Sequence, residues 1–136
     1  MRRGAVENHW VLFTGCLVVA LGILFAAAGA HLLDTDKARG LWQSANIMHL
    51  VHGLGLICLS ILRQVSYRYR FLYCWHMSVA AIMVGLILFC VQLYLKSLQI
   101  AFLPGWLTPI GGMSFVVAWV CASMLAFGVP VTLEEK

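Results

Sequence analysis

Four long apolar segments, separated by short polar or basic stretches, constrain the fold of this chain more than any other feature. A bilayer core of about 30 Å is crossed by roughly 20 helical residues, and lipid offers unpaired backbone groups no hydrogen-bond partner. Only 10% of the residues are charged, against about one quarter in a soluble domain. We therefore predict an all-α integral membrane protein, a single four-transmembrane-helix bundle over residues 1–136, with helices at about 10–33, 45–62, 71–95 and 108–128.

The polar stretches set these boundaries. The cluster DTDKARG at 34–40 separates the first two helices, so we expect the second to begin only near Ala45. That helix ends before the basic loop RQVSYRYR at 63–70, whose arginines are costly inside hydrocarbon. A Pro-Gly pair at 104–105 ends helical structure and suits a tight connection. After it, Thr108 is a candidate N-cap and Pro109 suits a first helical turn.

The distribution of positive charge predicts the orientation. An even number of spans places both termini and the middle loop on one side, which holds Arg2, Arg3, Arg63, Arg68, Arg70 and Lys136. Lys37, Arg39 and Lys96 fall on the other side. The positive-inside rule then predicts an N-in/C-in protein of a bacterial inner (plasma) membrane, or of the mitochondrial inner membrane in a eukaryote. The +4 net charge reflects this topology, and no basic stripe or stacking platform indicates nucleic-acid binding.

Small residues recur at helical spacing and predict where the helices pack. Gly15, Gly22 and Gly29 repeat every seven residues and share one face of the first helix. Such rows let backbones approach closely, which matters because lipid gives helices no hydrophobic reason to associate. We predict that six residues pack helices together: Gly22, Gly29, Gly111, Gly112, Ala118 and Ala122. Self-association, or docking of another membrane protein on a spare small-residue face, is the alternative use.

Histidines interrupt the apolar helices. His49 and His52 lie three residues apart and so share one face of the second helix. The predicted topology brings polar residues of the other helices to the same depth, near the outer leaflet. We therefore predict a polar layer of five residues: His31, His52, Gln92, Tyr94 and Thr108.

Several uses of this layer stay open. The first is an interhelical hydrogen-bond network that fixes the helix register. The second is a pocket for a small ligand or a quinone head group, because ionisable residues inside a membrane are functional candidates. A copper or zinc site at His31, His49 and His52, or a haem held axially by His31 with His49 or His52, lacks a distinctive spacing. The five cysteines also form no CxxC pair, and we predict no cofactor.

Catalysis finds little support in the sequence. All five acidic residues lie outside the predicted helices: Glu7, Asp34, Asp36, Glu134 and Glu135. A proton relay across the membrane therefore lacks a carboxylate, and the chain contains no nucleophile elbow, phosphate loop or metalloprotease helix. We predict a non-enzyme, an accessory or assembly subunit that sits in the lipid bilayer and packs against another membrane protein. A binding or transport module that holds a small ligand or metal is the alternative.

Short motifs spread along the chain point to one known family. They are GAH at 29–31, a polar loop leading to Trp42, Ala45 followed by His52, LF at 88–89 before LY at 93–94, and TPIGG at 108–112 followed by Trp119. Together they resemble domain-of-unknown-function family 423 (DUF423), small bacterial inner-membrane proteins that include the eukaryotic transmembrane protein 256, over about residues 11–127. The resemblance implies four membrane helices, retention of the first helix rather than its cleavage as a signal peptide, and no established activity.

The chain departs from the family pattern at several places, among them the two below. CVQ at 90–92 stands where the family commonly has Ser-Gly-Ser, which removes a glycine that would allow close helix approach. His49 stands where the family often has glutamine. The resemblance therefore assigns a shared role to His31 and His52 rather than to His49.

Overall fold

The computed structural model describes residues 9–65, 72–100 and 104–128, and nearly all of them are helical. Helix α1 is His9–Leu32, α2 is Asp36–Val65, α3 is Leu72–Ser97, and α4 is Leu107–Met124 followed by a 3-10 turn at Leu125–Gly128. All four helices are long and apolar enough to cross a membrane, and the described residues contain no strand. The predicted all-α architecture of four transmembrane helices is confirmed.

The orientation of the bundle stays a prediction. Much of its support falls outside the described residues: Arg2, Arg3, Arg68, Arg70 and Lys136. Arg63 lies in the last turn of α2 and Lys96 in the last turn of α3, while Lys37 and Arg39 lie at the start of α2. The described lysines and arginines therefore lie at helix ends, where charged groups can reach water.

Helix α2 begins at Asp36, well before the predicted start near Ala45. The Thr35 side chain caps it, since its Oγ1 accepts a hydrogen bond from the Ala38 N–H at 3.2 Å. The Thr35 carbonyl oxygen also accepts from the Arg39 N–H at 3.0 Å. Asp36 places negative charge in the first turn, where the helix dipole favours it. The prediction of a loop through residue 40 was wrong because its charged residues belong to a capped helix start.

The start of α4 also differs from the sequence prediction. Trp106 occupies the N-cap position without a side-chain capping bond, so Thr108 lies inside the first turn and is not the cap. The Thr108 Oγ1 instead lies 3.4 Å from Lys96 Nζ, which donates to it from the end of α3. This contact joins the two ends of the α3–α4 connection.

The helices form two pairs joined at the centre of the bundle. Helix α1 lies along α2, α3 lies along α4, and α2 contacts α3. The glycine face of α1, formed by Gly15, Gly22 and Gly29, is buried against α2. A Cβ at Gly15 would lie only 3.1 Å from the Gly53 carbonyl oxygen of α2. Most of α1 and α4 is exposed, so the two outer helices offer the bilayer a wide apolar surface.

A π-helical segment, Leu86–Val91, lies within α3 opposite Gly111 of α4. A Cβ at Gly111 would lie 2.6 Å from the Phe89 nitrogen and 2.8 Å from the Leu88 carbonyl carbon, both backbone atoms. Gly112 has more room, since its Cβ would lie 3.7 Å from the Phe89 ring. Gly111 therefore provides the close approach between α4 and this segment.

Replacing Gly111 by alanine is expected to lower the free energy of unfolding by about 1–3 kcal/mol, because two helix backbones must separate to admit the Cβ. Gly112→Ala is the matched control. Its methyl group would lie at ordinary van der Waals distance, and alanine favours helix over glycine by about 1 kcal/mol, so we expect a neutral or stabilising effect. Unfolding in detergent, followed by circular dichroism, measures both variants. Equal losses would contradict the described α3–α4 contact.

Candidate functional site

Two side chains of α2 donate hydrogen bonds to backbone carbonyl groups of α1. The Trp42 Nε1–H donates to the Phe25 carbonyl oxygen at 2.7 Å, and the Asn46 Nδ2 donates to the Gly22 carbonyl oxygen at 2.7 Å. The glycine face makes room for these donors, because a Cβ at Gly29 would overlap the Trp42 indole. The glycines are therefore spaced to expose helix carbonyl groups to α2.

A buried hydrogen-bond chain continues from Asn46 to α3. Asn46 Nδ2 also donates to the Tyr94 hydroxyl oxygen at 3.2 Å, and that hydroxyl lies 3.2 Å from His49 Nδ1. Because Asn46 already donates a hydrogen bond to the Tyr94 oxygen, the phenolic O–H can donate its own hydrogen bond to His49 Nδ1. His49 is then neutral, with its ring proton on Nε2.

Aromatic rings surround this chain. The Tyr94 ring packs edge-on against Phe25 and Trp42, with centroid distances of 5.0 and 4.6 Å. Phe25 also lies edge-on to His49 at 5.8 Å. Edge-to-face contacts at such distances add to the stability gained by burial. The polar cluster, defined as Trp42, Asn46, His49 and Tyr94, is therefore held by rings from three helices.

His52 makes a separate set of contacts, with α4. Its ring stacks on Phe115 with centroids 3.5 Å apart, and its Nε2 accepts a hydrogen bond from the Trp119 Nε1–H at 3.1 Å. An indole can only donate, so His52 carries its proton on Nδ1, which donates to the Met48 carbonyl oxygen at 2.7 Å. Both ring nitrogens of a neutral His52 are used. His49 and His52 therefore adopt opposite tautomers one turn apart.

The five residues of the predicted polar layer do not form one layer. Tyr94 lies in the polar cluster and His52 lies against α4, whereas Gln92 is buried and donates to the Pro104 carbonyl oxygen at 2.7 Å. Thr108 meets Lys96, as described above. His31 is exposed and makes no hydrogen bond to any residue that the structure describes. Four of the five residues thus lie at four separate contacts, and His31 faces away from the bundle.

The three candidate metal ligands are likewise kept apart. His49 contacts α1 and α3, His52 contacts α4, and His31 is exposed. Within the described ranges, no group of three or more histidine, cysteine or acidic side chains is placed to hold a metal ion. A metal at His52 would also have to displace one of its two hydrogen bonds.

Sequence reasoning missed three donors that join neighbouring helices. Asn46 is central to the polar cluster, and its signal was an amide within an apolar helix, three residues before His49. The Ser78 Oγ donates to the Ala118 carbonyl oxygen at 2.8 Å, between α3 and α4. The Trp75 Nε1–H donates to the Leu59 carbonyl oxygen at 2.8 Å, between α3 and α2. In all three cases the sequence signal for an interhelical hydrogen bond was a polar or indole donor within an apolar membrane span.

The six predicted packing residues lie at or near helix contacts. Gly22 and Gly29 meet α2, Gly111 meets the π-helical backbone, and Gly112 lies beside the Phe89 ring. Ala118 is fully buried, and Ala122 is partly buried against the core. Small size matters most at Gly29 and Gly111, where an added Cβ would meet a rigid ring or backbone.

Replacing Tyr94 by phenylalanine is expected to lower the free energy of unfolding by about 0.6–2 kcal/mol, because the hydroxyl that joins Asn46 to His49 is lost. Tyr73→Phe, which removes a hydroxyl from an exposed position in the same helix, is the control and should change stability little. Unfolding of both variants in the same detergent gives the comparison. A Tyr94→Phe protein as stable as the control would show that the buried chain contributes nothing.

Known proteins resemble this chain over most of its length. A family model described as "Protein of unknown function (DUF423)" matches residues 25–112. A UPF0382 membrane protein of Staphylococcus haemolyticus is 27% identical, covering 85% of this chain and 93% of its own. YwdK of Bacillus subtilis is 26% identical (80% and 89%), and a relative from Haemophilus influenzae is 28% identical (87% and 88%). No solved structure matches significantly. The chain therefore belongs to the DUF423 family of membrane proteins, as its motifs predicted.

Proposed function

We propose that this protein is a non-enzymatic accessory or assembly subunit that packs against another membrane protein through the outer face of α1. That face is formed by Ala20, Leu24, Ala27 and His31, all of them exposed. Their spacing of four, three and four residues keeps them on one side of the helix. The presence of His31 on this face is the observation that carries the proposal.

The outer face has the composition of a helix interface. At 100° per residue, His31 lies on the side of α1 opposite Gly22, so it points away from α2. Small residues such as Ala20 and Ala27 are enriched where membrane helices meet, and His31, in the last turn of α1, adds a hydrogen-bonding group at the end of the same face. A partner helix would bring a hydrogen-bond acceptor or donor to His31 and pack closely over the alanines.

The interior of the bundle supports the same role. His49 Nδ1 and both ring nitrogens of His52 are hydrogen-bonded, and these bonds link α2 to α3 and to α4. A bundle whose helices are held in one arrangement, and whose α1 has an outer face that no other helix of the bundle covers, suits a subunit that positions a partner protein. We further propose that it sits in the bacterial inner membrane with both termini inside, which the arginine distribution and the membrane proteins among its bacterial relatives support.

A photo-crosslinking amino acid at Ala27 tests this proposal in native membranes. We expect one discrete protein adduct, identified by mass spectrometry, whose yield falls several-fold when His31 is replaced by glutamine or Ala20 by leucine. The same probe at Ala80, an exposed alanine of α3, is the matched control and should give lipid adducts. An adduct with a second copy of this chain would assign the face to self-association. Lipid adducts alone at Ala27 would overturn the proposal.

A second candidate function is that of a module that binds a lipophilic ligand. An apolar pocket of about 250 Å³ lies between α1 and α3, and His49 and Tyr94 are among its lining residues. Cavities of about 150 Å³ already bind a benzene ring. The Tyr94 hydroxyl and His49 Nδ1 are already hydrogen-bonded within the polar cluster, so the pocket presents an almost wholly apolar wall. Such a wall suits the ring or the apolar tail of a quinone better than copper, zinc or haem.

For this second function, gently purified protein should contain a quinone detectable in an organic extract and by its absorbance. Leu21→Trp, which fills the pocket, should remove it. Leu54→Trp, an exposed position outside the pocket, should leave it in place. A wild-type extract without any chromophore, or equal loss in both variants, would count against a ligand in this pocket.

A further inference from the structure

A groove of about 410 Å³ lies between α1 and α2, separate from the pocket between α1 and α3. Ala26 and Ala30 of α1 line it, and their small side chains leave the space open. The α2 side of the groove carries Arg39 towards one end and Asn46 with Ile47 towards the other. The groove is therefore charged at one end and largely apolar at the other.

The groove runs from the membrane surface into the hydrocarbon. Helix α2 has 30 residues and is about 45 Å long, which exceeds a hydrocarbon core of about 30 Å. Its first turns, with Arg39 and Gln43, then lie among lipid head groups. Asn46 and Ile47 lie deeper, at the edge of the hydrocarbon. A molecule that fills this groove must match a polar head followed by an apolar chain.

Arg39 gives the groove a positive charge at the head-group level. Its Nε donates to the Leu33 carbonyl oxygen at 3.0 Å, which fixes the guanidinium beside the end of α1. Its Nη1 lies 3.4 Å from an Asp36 carboxylate oxygen, but the Asp36 side chain is fully exposed, and such surface pairs are weak. The guanidinium therefore keeps the charge and the planar donors that suit a phosphate group.

Asn46 supplies an acceptor deeper in the groove. The residue is only 8% exposed, and its Nδ2 protons go to Gly22 and Tyr94. Its Oδ1 accepts no hydrogen bond from any of the residues described, and Asn46 is one of the groove's lining residues. Oδ1 is not among the fully buried polar atoms that lack a partner, so it is open to the groove. A ligand that covered it without supplying a donor would leave it unpaired, which is costly. The groove thus calls for a ligand that carries a hydroxyl group below its phosphate.

We propose that this groove binds an anionic monoacyl glycerophospholipid drawn from the surrounding membrane. The phosphate pairs with Arg39, the glycerol lies over Ala30 and Ala26 and donates its free hydroxyl to Asn46 Oδ1, and the acyl chain continues past Ile47 into the hydrocarbon. A diacyl lipid satisfies the charge but not the acceptor, because its glycerol ester oxygens cannot donate. The groove shares no residue with the outer face of α1, so this proposal is independent of partner docking.

Native mass spectrometry of the full-length protein tests the proposal. The protein is released from phosphatidylcholine vesicles that contain equal small amounts of monoacyl and diacyl phosphatidic acid, neither of which carries a head-group alcohol. We expect selective retention of the monoacyl form. Arg39→Gln should lower its retention about five-fold, since one basic group near a membrane contributes roughly 1 kcal/mol. A monoacyl analogue without the glycerol hydroxyl should bind the wild-type protein about ten-fold more weakly, because Asn46 Oδ1 then lacks a donor.

Matched variants separate binding in the groove from changes in overall charge or in the lipid-facing surface. Ala30→Leu, which fills the groove, should abolish retention, whereas Ala80→Leu on exposed α3 surface should not change it. Lys37→Gln removes an exposed charge that does not line the groove and should also have no effect. Equal retention of diacyl lipid or of the deoxy analogue, or equal losses in Lys37→Gln and Arg39→Gln, would overturn the proposal. The comparison of lipids needs no variant, so misfolding cannot obscure it.

Discussion

Hydrogen bonds from side chains to the backbone carbonyl groups of the next helix join the elements of this bundle. Inside lipid, apolar side chains gain little by moving from lipid to another helix, so close packing and hydrogen bonds must hold helices together. Four donors make such bonds: Trp42 to Phe25, Asn46 to Gly22, Trp75 to Leu59 and Ser78 to Ala118. A carbonyl oxygen has two lone pairs, so it can accept a second bond while it keeps its own helical one. The helices are thus linked without loss of backbone pairing.

These bonds require that helices approach closely, and the positions of the glycines follow from that requirement. At Gly29 an added Cβ would occupy the place of the Trp42 indole, and at Gly111 it would meet the backbone of α3. The backbone opposite Gly111 is the π-helical segment. A π-helical turn contains an extra residue, which rotates the following residues by about 100° relative to a continuous α-helix. That rotation contributes to the orientation in which Tyr94 meets Asn46 and His49.

The sequence predicts the spans and the glycine face well because both depend on spacing and hydropathy within single helices. It predicts the polar contacts poorly because these depend on which helices are neighbours. The prediction placed His31 and His52 in one layer from their depth in the membrane alone. His31 lies nine residues after Gly22, which puts it on the side of α1 opposite the glycine face and therefore away from α2. The π-helical segment has no sequence signal that we recognise. The start of α2 was predicted too late for a different reason. The Thr35 cap lies among charged residues that are typical of a loop.

The two histidines of α2 differ in what can replace them. His49 accepts a hydrogen bond from the Tyr94 hydroxyl, and the carbonyl oxygen of a glutamine side chain could accept the same bond. His52 must accept from Trp119, donate to Met48 and stack a flat ring on Phe115. A carboxamide can make the two hydrogen bonds but cannot replace the aromatic stack. The contact partner Trp119 follows the TPIGG motif, so the motif and His52 form one interhelical contact.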